Sequence, residues 1–326
     1  MRAAYYEANG PAREVLRVGK METPRPGPGE VRVKLAASGV NPSDVKARAG
    51  LTRKMAFPRV IPHSDGAGEI DAVGDGVPSF RLGEPVWIWN AQWRRAFGTC
   101  AEYVTLPAEL AVRLPNHVSF EVGACLGIPA LTGYHAVATA AAWAGSTLLI
   151  TGGAGQVALY AIQFAKARGA VVIATVSSEE KAELARTAGA DHVIDYRRED
   201  VAGTVMDLTD NGGVDAVIEV DLAANATLLP RVLRPRGTAV VYGTSKLDAQ
   251  LPLQAFLTSQ LALEFIFVYE LTPEARSEAI TAVSQMLEDH RLRHNIALTL
   301  PLNDVVAAHE AVESGNVLGK VVITLP

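Results

Sequence analysis

The chain has little with which to build a cross-linked or metal-studded fold. Among 326 residues there are two cysteines, Cys100 and Cys125. That is too few for a disulfide framework or a cysteine-rich zinc knuckle, and it fits a reducing, cytoplasmic setting. Basic residues are not in excess. The 30 Lys and Arg stand against 35 Asp and Glu, a formal charge of −5, which argues against nucleic acid and against an anionic membrane as partners. The opening MRAAYYEANG lacks the apolar core of a signal sequence. One stretch lacks charge altogether, with no Asp, Glu, Lys or Arg from Val122 to Ala165. Pro129 and the cluster Gly152, Gly153 and Gly155 interrupt it. It therefore does not supply the roughly 20 continuous apolar residues of a membrane-spanning helix and reads as buried core. Internal repeats and low-complexity tracts are missing too.

What is there is a chain 49% hydrophobic and 20% charged, able to bury a sizeable core and long enough for two domains. The first 120 residues read as β-rich: VRVKLAASGV, GAGEIDAVGDGV and EPVWIW are strand-like runs separated by Gly and Pro. They predict a compact, barrel-like β domain. The pattern then changes. STLLIT (146–151), AVVIAT (170–175), HVID (192–195), VDAVIEV (214–220) and GTAVVYG (237–243) are strand patterns, with helical spacing over 156–168 and 179–188. Such alternation predicts a doubly wound parallel sheet of Rossmann type. EFIFVY (264–269) reads as its last strand, and a helix from Pro273 to Asp289 follows. The expected division is 1–121 with 270–326 for the β-rich domain and 122–269 for the Rossmann domain.

Gly153-Ala154-Gly155-Gln156-Val157-Ala158 matches G-x-G-x-x-A directly after a strand and at the start of a helix, the context in which that motif binds a dinucleotide. Small residues let the backbone approach a pyrophosphate, and the helix N-terminus offers N–H groups to it. This assigns Gly153, Gly155, Gln156 and Val157 to the cofactor. An NAD enzyme carries Asp or Glu about 20 residues further on to hold the ribose 2′-OH. Here the chain reads Thr175-Val176-Ser177-Ser178-Glu179-Glu180-Lys181. Ser177, Ser178 and Lys181 suit a 2′-phosphate that a carboxylate at Ser177 would repel, and Tyr196 and Arg197 stand after the next strand to close the pocket. The expected cofactor is NADPH. Ser177 and Glu180 also satisfy the capping pattern S-x-x-E.

Seven segments, GVNPSDVKARAG (39–50), HSDGAGEIDAVGDGV (63–77), GTCAEYV (98–104), GIPALTGYHAV (127–137), TGGAGQVALYAIQFAK (151–166), GADHVIDYR (189–197) and LGKVVI (318–323), span nearly the whole chain. In this order they resemble the medium-chain dehydrogenase/reductase superfamily, and within it the zinc-free NADPH:quinone oxidoreductases of the zeta-crystallin type. The resemblance implies an α/β fold in which a β-rich GroES-like barrel accompanies the Rossmann domain. It places the catalytic zinc positions of related dehydrogenases at Asn41, Ser64 and Ile128, none of which is a thiolate or imidazole. Without zinc to polarise an oxygen, the acceptor must already be electrophilic, a quinone or an enone.

By the same resemblance Asn41 contacts the substrate oxygen, the nicotinamide ribose or a site water, with a cap on the turn before Pro42 as its structural alternative. Lys46 and Arg48 supply positive charge beside it. Thr132 lies near the nicotinamide ribose, Gly243 and Thr244 line the nicotinamide loop, and Ile266, Phe267 and Val268 offer backbone groups to the carboxamide, with Asn225 a further candidate. A homodimer joined at EFIFVY is expected. The chain departs from its kin at Lys46 and Thr52, where many of them have tyrosines lining the substrate mouth. Trp87, Trp89, Asn90, Gln92 and Trp93 either stack on a flat acceptor or form a packed apolar lobe. Two other functions stay open: an alkenal or enone double-bond reductase, and an NADPH-binding structural or RNA-binding protein with little turnover, against which the acidic charge counts.

Overall fold

A computed structural model describes the backbone of all 326 residues and every side chain except that of Phe80. The chain forms two compact units, Met1–Ile128 with Val283–Pro326, and Pro129–Ala282. The sequence boundaries at 121 and 269 lie earlier because both divisions fall inside helices, Gly127–Thr139 and Pro273–Glu288, where composition does not change.

In the first unit β1 (Arg2–Tyr5) pairs antiparallel with β2 (Arg17–Lys20). A larger sheet begins with β3 (Glu30–Val40), β4 (Asp65–Val73), β5 (Pro85–Ile88), β6 (Tyr103–Pro107) and β7 (Ala111–Arg113). Alternation builds it: Val31, Val33, Leu35 and Ala37 of β3 are buried, while Arg32 between them turns out to Asp71 at 2.9 Å. After the second unit the chain returns, and β14 (Ile296–Pro301) and β15 (Lys320–Thr324) complete the order β14-β15-β3-β4-β5-β7, with β6 also paired to β3.

The second unit carries β8 (Thr147–Ile150), β9 (Val171–Val176), β10 (His192–Asp195), β11 (Val214–Glu219), β12 (Leu233–Val241) and β13 (Ala262–Phe265). All pair in parallel in the order β10-β9-β8-β11-β12-β13. Their central residues are apolar on both faces, as a parallel sheet covered by helices requires: Leu148, Leu149, Ile150, Val172, Ile173, Val217 and Ile218 are buried. The chain winds outward from β8 through β9 to β10, then crosses to β11 on the other side. The crevice beyond the carboxyl ends of β8 and β11 is thus the switch point where such sheets bind ligands.

EFIFVY is not one strand. Only its start belongs to β13; Ile266 N still donates to Val241 O at 3.0 Å, and Val268–Glu270 is a short 3-10 turn. The apolar run misled because it is not buried, Phe265 being 68% and Phe267 54% exposed. Among the described residues no helix is long and apolar enough to cross a membrane. The uncharged stretch from Val122 is divided among short helices and β8.

Candidate active site

In the second unit the sequence between β8 and the helix Gln156–Ala167 makes a tight turn with Gly155 as N-cap. Gly152 has φ +63°. Gly153 N donates to Thr175 O at 2.8 Å, tying the turn to β9. A Cβ on Gly153 would lie 2.8 Å from Ala174 Cβ, so only a bare Cα lets the turn lie this close. The N-terminus of the helix, at Gln156 and Val157, lies at the carboxyl edge of the sheet.

At the end of β9, Ser177 is 6% exposed and its Oγ accepts from Lys181 Nζ at 3.0 Å. The capping residue is Ser178, whose Oγ accepts from Lys181 N at 3.4 Å. The Ser177–Glu180 box is therefore corrected: the cap lies one residue on, which leaves the Ser177 hydroxyl to the lysine. Tyr196 follows β10, its N donating to Val176 O at 3.0 Å, with the ring 51% exposed.

The loops after β11 and β12 are stitched together. Leu222 N donates to Gly243 O at 3.3 Å, and Ser245 N to Asp221 Oδ1 at 2.8 Å. Glu219, buried at the end of β11 and raised in pKa by that burial, accepts from Asn225 Nδ2 at 2.9 Å. The Asn225 amide is thereby engaged inside the loop. The Thr244 hydroxyl donates to Lys246 O at 2.8 Å. Thr132 is buried on the helix Gly127–Thr139. Ile266, Phe267 and Val268 form the exit from β13.

In the first unit Asn41 precedes the helix Pro42–Ala49, and its backbone N donates to Asp44 Oδ2 at 2.8 Å. With Asp44 it forms a capping box at the helix start, and its side chain also reaches two other residues. Asn41 Nδ2 donates to Asp65 Oδ2 at 2.7 Å, and Lys320 Nζ donates to Asn41 Oδ1 at 2.5 Å. Lys320 Nζ also reaches Asp65 Oδ2 at 3.2 Å, and Ile128 N donates to Asp65 Oδ1 at 2.8 Å. Asn41, Asp65 and Lys320 are 4%, 0% and 2% exposed. Burial raises the Asp65 pKa, against the pull of Lys320 and the amide donors. Burial, helped by the Asp65 charge, pushes Asp44 up to about 7.

Beside this cluster the His63 ring shares a hydrogen with Ser38 Oγ at 2.8 Å through Nδ1 and faces His309 Nε2 at 3.0 Å through Nε2. Burial holds His63 well below its usual pKa and brings His309 down to about 3. Among the described residues no three His, Cys, Asp or Glu side chains lie close enough together to hold a metal ion.

Arg48 is not a charge for the substrate. Its side chain is fully buried, donating to Gly10 O and pairing with Glu313, so it holds the helix in the unit. Lys46, two residues before it on the exposed face, remains accessible. Trp87 and Trp89 are core residues at 0% and 2% exposure, while the Trp93 ring carries the Arg53 and Arg94 guanidinium groups at 5.2 and 5.8 Å. The sequence reading missed Lys320, Asp65 and His309 as partners. The one available signal for Lys320 was a lysine opening the apolar strand KVVIT.

Residues 27–116 match the alcohol dehydrogenase GroES-like domain family and 157–287 the zinc-binding dehydrogenase family. The chain is 30% identical to the quinone oxidoreductase of Lama guanicoe, covering 98% of this chain and 96% of the relative. It is 28% identical to a Burkholderia 2-haloacrylate reductase, covering 99% and 98%. It superposes with a TM-score of 0.89, at 30% identity and full coverage of both chains, on a mycobacterial protein solved in complex with NADPH.

Proposed function

Because the chain belongs to the quinone oxidoreductases of the medium-chain dehydrogenase/reductase superfamily, we propose that it reduces quinones or similarly electrophilic carbonyl compounds with NADPH and without a metal ion. One observation carries the metal-free part: Asn41, which the resemblance sets with Ser64 and Ile128 at the zinc positions of related enzymes, is bonded to Asp65 and Lys320. NADPH supplies the hydride. Asn41 holds the acceptor oxygen as charge develops on it, and the hydroquinone anion that leaves is a weak base that takes its proton from water. The alkene-reducing alternative is favoured by the likeness to a 2-haloacrylate reductase. It needs a proton at the α-carbon, for which Lys46 is the accessible group. NADPH oxidation followed by absorbance, against a simple quinone and a 2-alkenal, with and without a chelator, tests all three points. Loss of activity on chelation overturns the metal-free mechanism, and turnover of the alkenal alone moves the function to alkene reduction.

The glycine turn and the Ser177–Lys181 pair fit NADPH, and the mycobacterial complex supports the same cofactor. NADPH is expected to bind at least about tenfold tighter than NADH, about 1.4 kcal/mol. Ser177→Asp sets a carboxylate beside Lys181 that repels the 2′-phosphate and accepts from a 2′-OH, so it shrinks or reverses the preference. Equal affinities of the wild type for the two cofactors in a fluorescence titration would refute this assignment.

The working form is a homodimer in the cytoplasm. β13 is an edge strand, and Leu253, Leu257, Phe265 and Phe267 around it are 54–77% exposed, an apolar edge that pairing with a second copy covers. Both cysteines are free and buried, which suits a reducing compartment. Light scattering at micromolar concentration is expected to give the mass of two chains, and Phe265→Asp to give one. A monomeric wild type would remove the dimer.

A further inference from the structure

We propose that Lys320 and Asp65 are positioning residues for Asn41: together they fix its carboxamide in one orientation and polarise it, so that its remaining Nδ2 hydrogen is aimed and strengthened as the donor to the acceptor oxygen. This rests on the reading of Asn41 given above.

The orientation follows from donor chemistry. A lysine can only donate and a carboxylate only accept. With Lys320 Nζ 2.5 Å from Oδ1 and Asp65 Oδ2 2.7 Å from Nδ2, the flipped amide would face a donor with a donor and an acceptor with an acceptor. One Nδ2 hydrogen is used by Asp65, and the other is left for the acceptor. The polarisation follows from burial. All three side chains are at most 4% exposed, and a chain of hydrogen bonds in a low dielectric strengthens each member. Charge drawn toward Oδ1 by Lys320 leaves the N–H more acidic.

The surrounding backbone is shaped to this trio. Pairing of β15 with β3, Val321 opposite Val40 and Val322 opposite Gly39, brings the start of β15 to the end of β3, where Asn41 follows. A Cβ on Gly39 would lie 2.8 Å from Lys320 Cε and collide with Ala124 O. A Cβ on Gly127 would collide with Asp65 Oδ1, closing the approach to Ile128 N. A buried ion pair is a weak device for stability, since apolar residues of the same volume do as well or better. This one also holds the side chain that the resemblance sets at a metal position of related enzymes.

The test is a double-mutant cycle with Asn41→Ala and Lys320→Met, read as kcat and KM for a simple quinone and as NADPH Kd by fluorescence. Lys320→Met is expected to lower kcat by about tenfold or more in the wild-type background and by less than about twofold on Asn41→Ala, because a residue acting through another has nothing left to act on. NADPH Kd should stay within about threefold throughout, since uniform binding is untouched. Lys320→Gln keeps a donor toward Asn41 Oδ1; it is expected to retain more kcat than Lys320→Met and provides the cycle if the Met variant does not fold. Independent, multiplicative losses in kcat would overturn the inference, as would a folded Lys320→Met with unchanged kcat. If Asn41→Ala alone leaves kcat intact, it is the Asn41 reading that fails, and the single variant reports this separately.

Discussion

Replacing Asn41 with alanine is expected to lower quinone turnover by about 10²–10³-fold, equivalent to about 2.7–4 kcal/mol, the effect of losing one preorganised donor to a developing oxyanion. NADPH affinity is expected to stay within a few-fold. Asn41 and Asp44 form a capping box at this helix start; the variant gives up the Asn41 half of it, a cost of about 1 kcal/mol, while the Asn41 backbone N keeps its bond to Asp44. What disappears is the amide between Asp65 and Lys320, and those two remain paired at 3.2 Å, so the buried charges stay compensated and the fold survives. The measurements are kcat and KM with a quinone, a thermal melt, and a cofactor titration. A variant with full turnover and weakened cofactor binding would place Asn41 in the cofactor site alone and pass the oxyanion role to Lys46 or a bound water.

The parts of this molecule that are legible in its sequence are those in which partners are close along the chain. The strand–turn–helix around Gly153 and Gly155 is local, as are the periodicities of β8 to β12, and these define the parallel sheet and its switch point. Partners far apart in sequence are not legible. Arg48 looks like a solvated helix charge until Glu313, 265 residues away, is seen to pair with it. Lys320 finds Asn41 and Asp65 across separations of 279 and 255 residues. Apolarity without burial also misleads: the run EFIFVY reads as a core strand, yet its phenylalanines face outward. The cap at Ser178 was displaced by one residue because two adjacent serines offer the same chemistry and only backbone geometry separates them.

Acid is expected to weaken this fold through His309. Burial, with Arg48 nearby, holds its pKa at about 3 against 6.5 in the unfolded chain. Between those values the unfolded state binds a proton that the folded state refuses, so stability is present above pH 6.5 and falls as pH drops, by about 1.4 kcal/mol per pH unit. His63, facing it at 3.0 Å, and His294, lowered to about 4, act in the same direction. Asp44 and Asp65 act oppositely: their raised pKa values let the folded state take protons first, which adds stability as pH falls toward 3.8. Because these groups pull in opposite senses, the difference between wild type and His309→Gln isolates the histidine. Glutamine fills similar space, can bond His63 Nε2 and does not titrate. Urea unfolding is expected to show the stability of the wild type relative to the variant falling by about 2.3 kcal/mol from pH 6.5 to about pH 4.5. A difference that stays constant over that range would mean that His309 takes up its proton in the folded state as readily as in the unfolded one, and would overturn the reading of a neutral ring stacked on His63 with a centroid distance of 5.1 Å.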